Sequence, residues 1–266
     1  MPALYASLAV RRLDRPIQRK HNGFPYRPFI WGPSPVYTRG ERGLTRSYPE
    51  AQFERRIGPV GSKIASEFIP RFSMRLLSAN NHQEMPWKNG LGVTREVIAC
   101  PAPHDPAVFL WRISLATVRG SGPFSLFPGI DRTIAVLRGD GMQLTADGET
   151  QSPLTQQADP YRFAGEAVVH AESLGGETTD LNVMTLRTNY RHTLRRLAIN
   201  GTVEVAIESP EACIVFNGAV RVEDEGNVLS AASMDAVVDL VQGQSLRLSA
   251  DIPADVFLVS LERVAG

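Results

Sequence analysis

Two segments of this 266-residue chain carry charged and hydrogen-bonding side chains inside stretches that otherwise alternate like half-buried strands. Residues 85–96 read Met-Pro-Trp-Lys-Asn-Gly-Leu-Gly-Val-Thr-Arg-Glu, and residues 111–132 contain Trp-Arg-Ile-Ser-Leu-Ala and then Gly-Pro-Phe-Ser-Leu-Phe-Pro-Gly-Ile-Asp-Arg. The polar residues are Lys88, Asn89, Thr94, Arg95, Glu96, Arg112, Ser114, Asp131 and Arg132, and the aromatic residues among them are Trp87, Trp111, Phe124 and Phe127. Apolar walls with a few fixed polar groups are typical of a pocket for a small molecule.

Arg112 lies in a strand-like segment whose two faces differ. Alternation across residues 108–118 puts Phe109, Trp111, Ile113 and Leu115 on one face and Leu110, Arg112, Ser114 and Ala116 on the other. If the aromatic face packs in the core, Arg112 is a partly buried cation that needs an anionic partner. That partner is Glu96, Asp131 or a ligand carboxylate, which the planar fork of an arginine binds through two parallel hydrogen bonds.

Further candidates for the same pocket are Lys88 and Asn182. Lys88 is the only lysine in residues 64–266, and it is a candidate second anchor or general base. Asn182 shares one strand face with Asp180 in the segment Asp-Leu-Asn-Val-Met. It is either a hydrogen-bond donor in the pocket or an amide satisfied within the core.

The sequence lacks the patterns of several common catalytic sites. The histidines are His21, His82, His104, His170 and His192, and no two lie within four residues of each other, so no His-x-His metal pair exists. There is no Gly-x-Ser-x-Gly elbow, and no glycine-rich phosphate loop opens a helix. Cys100 and Cys213 are far apart, which predicts buried reduced thiols. We therefore expect neither a metal nor a cofactor.

The elements that position these residues are predicted to be β-strands. Alternating or β-branched segments between glycine turns predict strands at residues 74–77, 94–100, 108–118, 132–138, 142–146, 161–163, 181–186, 202–207, 212–217, 219–222, 236–241, 245–248 and 256–261. About a dozen short strands favour a β-sandwich or barrel. A helix is expected only at residues 188–198, joining two halves. A weak repeat between residues 133–144 and 236–248 supports two halves, and both copies resemble the strand–glycine–strand element of cupin barrels.

The N-terminal part of the chain differs in composition from the rest. Residues 1–70 carry a net charge of +7, against −7 for residues 71–266, and contain proline-rich stretches that cannot form a helix. We expect residues 1–73 to be a disordered or mis-annotated extension, with Met74 as the alternative start. A basic nucleic-acid arm and an organellar transit peptide are the other interpretations. No apolar run approaches the roughly 18 residues of a membrane span, and no signal-peptide pattern occurs, so we expect a cytoplasmic protein.

The motifs as a set resemble the HutD/Ves family. The Pro-Trp-Lys-Asn-Gly segment, the Trp-Arg-Ile-Ser strand, the Gly-Pro-Phe-Ser segment and the Asp-Leu-Asn-Val-Met strand occur in the family's order within residues 74–261. The positions that match the family motifs are Lys88, Asn89, Thr94, Arg95, Glu96, Trp111, Arg112, Ser114, Phe124, Ser125, Asp131, Arg132 and Asn182. Leu91 departs from the pattern, because it interrupts a run of glycines, and we expect it to narrow that loop.

The resemblance implies both an architecture and a biological context. It implies an all-β bicupin, that is, two cupin-like β-barrels or sandwiches packed together. Residues 74–200 would form the first barrel with the ligand pocket, and residues 201–266 a second, mainly structural half. The family is associated with bacterial histidine utilisation, where it resembles a binder of a pathway intermediate that restrains flux. N-formylglutamate, formiminoglutamate and urocanate are the candidate ligands, and each carries a carboxylate.

These points lead to the expectation of a metal-free binding protein for a small carboxylate. Lys88 and Arg112 would anchor carboxylate groups, and Glu96 would orient the cations or accept a ligand N–H. Neutral hydrogen bonds would come from Thr94, Ser114 and Asn182. The complete set of expected ligand-binding residues is Lys88, Asn89, Thr94, Glu96, Trp111, Arg112, Ser114, Phe124, Ser125, Asp131, Arg132 and Asn182.

Other functional classes remain open at this point. One alternative is a metal-free cupin enzyme, an isomerase, lyase or hydrolase for a small acidic metabolite, in which Lys88 or Glu96 acts as acid or base. Another is an interaction module that works through the basic N-terminal arm. We expect neither a nucleic acid nor a membrane as partner, and exposed strand edges allow a homodimer.

Removal of residues 1–73 separates the binding protein from the interaction module. We expect a chain starting at Met74 to bind small carboxylates as tightly as the full chain, because all candidate ligand-binding residues lie beyond residue 73. Calorimetric titration of both chains with the same acid measures this. Loss of binding in the shortened chain would show that the N-terminal arm takes part.

Overall fold

The computed structural model describes residues 36–40, 43–47, 74–87 and 90–265. Strands β1 (Val36–Gly40) and β2 (Gly43–Ser47) form an antiparallel hairpin within a separate N-terminal unit. The rest of the predicted 1–73 extension lies outside the described residues. In the described part of the chain, no helix has the length and apolar character needed to cross a bilayer.

Residues 74–87 and 90–265 are almost entirely β-structure. The strands are β3 (Arg75–Leu77), β4 (Gln83–Pro86), β5 (Gly92–Ala102), β6 (Asp105–Val118), β7 (Gly122–Pro123), β8 (Ile130–Arg138), β9 (Met142–Ala146), β10 (Glu149–Thr150), β11 (Tyr161–Ala164), β12 (Val169–Ser173), β13 (Thr178–Leu186), β14 (Tyr190–Ala206), β15 (Glu211–Phe216), β16 (Val220–Asp224), β17 (Asn227–Ala231), β18 (Ala236–Leu240) and β19 (Ser245–Arg263). A single 3-10 turn, Ala79–Asn81, is the only helical element in these ranges.

The strands form three antiparallel sheets. The cavity sheet has the order β11-β8-β13-β6-β5-β4, and the cover sheet has the order β10-β9-β12-β7. The back sheet has the order β17-β16-β19-β15-β18-β3, with β14 also paired to β19. These two β-halves, the cavity and cover sheets on one side and the back sheet on the other, confirm the predicted all-β bicupin fold.

Apolar side chains on one face of the cavity sheet pack against the back sheet. Trp111, Ile113 and Leu115 of β6 belong to a buried cluster with Val215 and Phe257 of the back sheet. Neighbouring strands add further residues to this cluster. Successive side chains in a strand point to opposite faces, so alternate residues of β6 belong to it. The alternation predicted for residues 108–118 is therefore observed, and Arg112, Ser114 and Ala116 face the other way.

That other face looks towards the cover sheet. Ile134 and Val136 of β8 pack there with Leu144, Phe163 and Val169 in a second buried cluster. Other residues on this face of the cavity sheet line the cavity described below.

The predicted helix at residues 188–198 is wrong. Residues 190–198 belong to β14, in which Tyr190, His192 and Leu194 are buried while Arg191 and Arg195 are exposed, and residues 188–189 lie in the preceding turn. The observed period is two, as a strand half-buried against a sheet requires. Residues 245–248 and 256–261, predicted as separate strands, are parts of the single long strand β19, which pairs with β14 along most of its length.

The contact between the halves gives a test of the fold. We expect Phe257→Ala to lower the free energy of unfolding by about 3–5 kcal/mol, because it leaves a cavity between the cavity and back sheets. The matched control Val228→Ala removes an exposed side chain and should change stability by less than about 0.5 kcal/mol. Urea unfolding followed by circular dichroism measures both. Equal stability of the two variants would contradict the packing described here.

Candidate functional site

A cavity of about 600 Å³ lies on the polar face of the cavity sheet. Its walls come from β4 to β8, from β13 and from the segments that follow β4 and β7. The lining residues are Met85, Pro86, Trp87, Thr94, Arg112, Ser114, Ala116, Pro123, Phe124, Ser125, Phe127, Arg132, Asp180, Asn182 and Met184. A mainly apolar wall with two cations, one acid and a few neutral polar groups fits a small polar ligand.

Strand register places the two arginines of the cavity in one row and the acid two rows away. Met184 of β13 pairs with Arg112 of β6 on one side and with Arg132 of β8 on the other. In the next row Asn182 pairs with Ser114, and beyond it Asp180 pairs with Ala116. Directly opposed residues in antiparallel strands present their side chains to the same face. The two arginines therefore flank β13 at one level, two rows from the acid.

Arg112 has a partner within the protein. Its Nε lies 2.9 Å from Oε2 of Glu96, and both side chains are partly buried. Nε makes no hydrogen bond with the described residues, so this contact is an ion pair only. A terminal nitrogen, Nη2, points to the sulfur of Met85 at 3.9 Å. Of the alternatives considered from the sequence, Glu96 is the protein anion beside Arg112.

Arg132 is the more deeply buried cation, with 5% of its surface exposed. Its guanidinium carbon lies 5.3 Å from the ring centres of Phe124 and Phe127 and 4.8 Å from that of Phe163. Nη1 donates a hydrogen bond of 3.2 Å to the carbonyl oxygen of Ser125, while no described residue forms a hydrogen bond with Nε. Burial lowers the pKa of Arg132 to about 10, so the side chain stays charged at neutral pH. No carboxylate among the described residues lies within 4.0 Å of it.

Asp180 is the acid of the cavity, and only 2% of its surface is exposed. Within the described part of the chain its Oδ1 has no hydrogen-bond partner, and the same is true of Oδ1 of the neighbouring Asn182. Burial raises the pKa of the Asp180 carboxyl to about 7, although the positive charge of Arg132 acts in the opposite direction. Both the neutral and the charged forms of Asp180 are therefore accessible near neutral pH.

Thr94 and Trp87 form a neutral part of the wall. The indole Nε1 of Trp87 donates a hydrogen bond of 2.8 Å to the hydroxyl oxygen of Thr94. The indole also lies close to Gly92, where an added Cβ would come within 3.0 Å of the ring and 2.8 Å of the carbonyl oxygen of Thr117. Gly92 is thus required for this packing, whereas Leu91 is exposed and is not part of the cavity wall.

The structure brings most of the predicted site residues together. The predicted residues that line the cavity are Thr94, Arg112, Ser114, Phe124, Ser125, Arg132 and Asn182. Glu96 reaches the site through its ion pair with Arg112. Lys88 and Asn89 lie outside the described residues, so their predicted roles stay predictions.

Two predicted site residues lie elsewhere and correct the sequence analysis. Trp111 is buried in the cluster against the back sheet, because it is on the opposite face of β6 from Arg112. Asp131 is adjacent to Arg132 in β8 and so faces away from the cavity. Its carboxylate forms ion pairs of 2.8 Å with Arg162 and 2.6 Å with Arg187.

The cavity also contains residues that the sequence analysis did not include in the site. Asp180 is the most important, and its signal in the sequence was that it shares a strand face with the predicted site residue Asn182. No such signal exists for Met85, Ala116 and Met184, because the sequence does not distinguish an apolar residue of a cavity wall from an apolar residue of the core. Among the described residues, no three His, Cys, Asp or Glu side chains converge as metal ligands.

Comparison with known proteins shows which protein family this chain is similar to. The HutD family model matches residues 79–258. An uncharacterized 21.2 kDa protein of the hutC 3′ region of Pseudomonas putida is 40% identical over 122 residues, which are 46% of this chain and 63% of that protein. Protein Ves of Citrobacter koseri is 42% identical over 102 residues, 38% of this chain and 52% of that protein. The matched regions thus span less than two thirds of these curated relatives.

Solved structures match over a longer part of the chain. A conserved protein of unknown function from Pseudomonas aeruginosa PAO1 is 33% identical, with a TM-score of 0.65, over 71% of this chain and 99% of that one. HutD from Pseudomonas fluorescens SBW25, solved in a formate condition, is 26% identical, with a TM-score of 0.62, over 73% of this chain and 100% of that one. These matches confirm the resemblance drawn from the sequence motifs.

The position of Asp180 predicts an unusual dependence of stability on pH. The folded pKa of about 7 is above the ordinary value of 3.8, so the folded state binds more protons between these values. Stability from this group therefore falls as the pH rises through that window, by at most about 1.4 kcal/mol per pH unit, and stays lost at higher pH. Asp180→Asn should abolish this component.

Urea unfolding of both proteins between about pH 5 and pH 8 measures the effect. The difference between the two stability curves isolates Asp180, because other titrating groups such as His192 are present in both proteins. Parallel curves across this range would contradict the buried, proton-binding carboxyl described above.

Proposed function

This chain belongs to the HutD family, and we propose that it is a metal-free binding protein for a small carboxylate of histidine utilisation. The observation that carries the proposal is the guanidinium of Arg132, buried in the cavity wall without a carboxylate within 4.0 Å among the described residues. A buried cation is unfavourable unless an anion or strong hydrogen bonds replace its water. A ligand carboxylate in the cavity would supply that anion.

Arg132 and Arg112 would both contact the ligand. Arginine suits this role because its planar donors match the two oxygens of a carboxylate. Nε of Arg132 has no acceptor among the described residues, and Arg112 is oriented by Glu96, which agrees with the role expected for Glu96. Ser114 and Asn182 lie between the arginines and Asp180, where they would hydrogen-bond the rest of the ligand. Thr94 would complete the neutral wall, and Lys88 remains a proposed second anchor.

The link to histidine utilisation rests on the names of the relatives. One structural relative is HutD, and one sequence relative is encoded in a hutC region. N-formylglutamate, formiminoglutamate and urocanate are the acids we propose as ligands, because each has a carboxylate and fits within about 600 Å³. Binding of such an acid would let the protein respond to its concentration and restrain flux through the pathway.

One observation favours a second candidate function. Asp180 is a buried carboxyl in the cavity whose pKa burial raises to about 7, and groups with such values serve as general acids or bases. The alternative is therefore a metal-free cupin enzyme, with Asp180 rather than Lys88 or Glu96 as the proton-transfer group. Chemical change of a bound acid would distinguish this enzyme from a binding protein.

Calorimetry of the full chain with each of the three acids tests the proposal. We expect saturable binding of at least one acid, with no product found afterwards by mass spectrometry. Arg132→Ala and Arg112→Ala should each weaken binding about tenfold or more, because a charge-assisted hydrogen bond contributes about 1.5–3 kcal/mol. The control Arg247→Ala removes an exposed arginine of the back sheet and should leave the affinity unchanged. Failure of all three acids to bind would overturn the proposal, and turnover would favour the enzyme.

A further inference from the structure

We propose that the cavity takes up its anion together with one proton, and that Asp180 carries this proton and donates a hydrogen bond to the ligand. The inference rests on the proposed carboxylate-binding function and adds to it the chemical state of the site. It makes Asp180 a residue that determines which ligands bind, since a neutral carboxyl offers a hydrogen-bond donor where a carboxylate would repel an anion.

The geometry of Asp180 supports this role. Its carboxyl is buried in the cavity wall, and Oδ1 has no hydrogen-bond partner among the residues that the structure describes. An ionised carboxylate usually accepts several hydrogen bonds or forms a close ion pair when it is buried. Within the described residues Asp180 has no ion pair within 4.0 Å. Asp180 is one of the residues that line the cavity, so its carboxyl is positioned to contact a ligand that fills the cavity.

The charges that face Asp180 make proton uptake favourable. Arg132 approaches from β8 and Arg112 from β6, and Glu96 of β5 neutralises Arg112. The described lining residues of β4 and of segment 123–127 are uncharged. With Asp180 ionised, these four side chains carry no net charge. With Asp180 neutral they carry one positive charge, which matches one incoming carboxylate.

A bound carboxylate would stabilise the neutral form of Asp180 relative to the ionised form. Two carboxylates in one buried site cannot both stay ionised without strong repulsion, so they share a proton. Burial already raises the pKa of Asp180 to about 7, and an anion beside it raises the pKa further. The protein would therefore bind an acid more tightly as the pH falls towards 6. It would bind the corresponding amide more weakly, because the amide has no negative charge to pair with Arg132.

Titration of the full chain with N-formylglutamate in phosphate and in Tris buffer tests the inference. This ligand has carboxyl groups that stay ionised above about pH 6, so any proton taken up goes to the protein. At about pH 8 we expect uptake of close to one proton per ligand, read from the difference in heat between the two buffers. The affinity should fall up to about tenfold per pH unit above pH 7. Formate, a smaller monoanion, serves as the second probe.

Asp180→Asn assigns the proton to this residue. The variant should bind N-formylglutamate without proton uptake and with an affinity that does not change between about pH 6 and pH 8.5. Asp255→Asn, an acid of β19 in the back sheet, should retain the uptake seen in the unaltered protein. Circular dichroism of each variant checks folding, and the two-buffer comparison on the unaltered protein stands without any variant.

The outcomes separate this inference from the proposed function. Saturable binding with equal heats in the two buffers overturns proton uptake and leaves carboxylate binding intact. Proton uptake that persists in Asp180→Asn assigns the proton to another group and also overturns the inference. Absence of binding by N-formylglutamate, formate, formiminoglutamate and urocanate overturns both proposals together.

Discussion

The burial of the Arg132 guanidinium is the constraint on which the cavity depends. Three aromatic rings and the carbonyl oxygen of Ser125 surround this cation, and they replace part of the water that it loses. They supply no full negative charge, so a place for an anion remains. The same cation also limits how far burial raises the pKa of Asp180. When Asp180 is neutral, an anionic ligand would balance the positive charge of this site.

The bicupin fold holds these charges in place through strand pairing. Rows of paired residues across β6, β13 and β8 set the spacing of the two arginines, and the alternate residues of the same strands form the core against the back sheet. A strand cannot slip by one residue without exchanging its core and cavity side chains. The back sheet therefore contributes to the site although no residue of it lines the cavity. It fixes the register of the strands that do.

The sequence predicted the all-β fold and much of the site, and its errors have physical reasons. Period-two alternation was enough to place Arg112 and Ser114 on the cavity face and to offer Glu96 as a partner. The candidate residues also included Trp111 and Asp131, which strict alternation excludes, because each is adjacent to a residue that faces the cavity. The role of Asp180 depends on burial by distant strands, and no local pattern reports that. The prediction of a helix at residues 188–198 was wrong, because the alternation of buried and exposed residues there depends on a sheet that buries one face of the strand.

A crystal structure of the full chain with N-formylglutamate tests the central claim most directly. The proposed function predicts a ligand carboxylate within about 2.7–2.9 Å of a nitrogen of Arg132, on the same side as Asp180 and Asn182. Such a position would account for the buried cation, the unpartnered oxygen of Asp180 and the shape of the cavity together. A ligand bound elsewhere, with Arg132 still without an anion at saturating concentration, would contradict the carboxylate-binding role of this cavity.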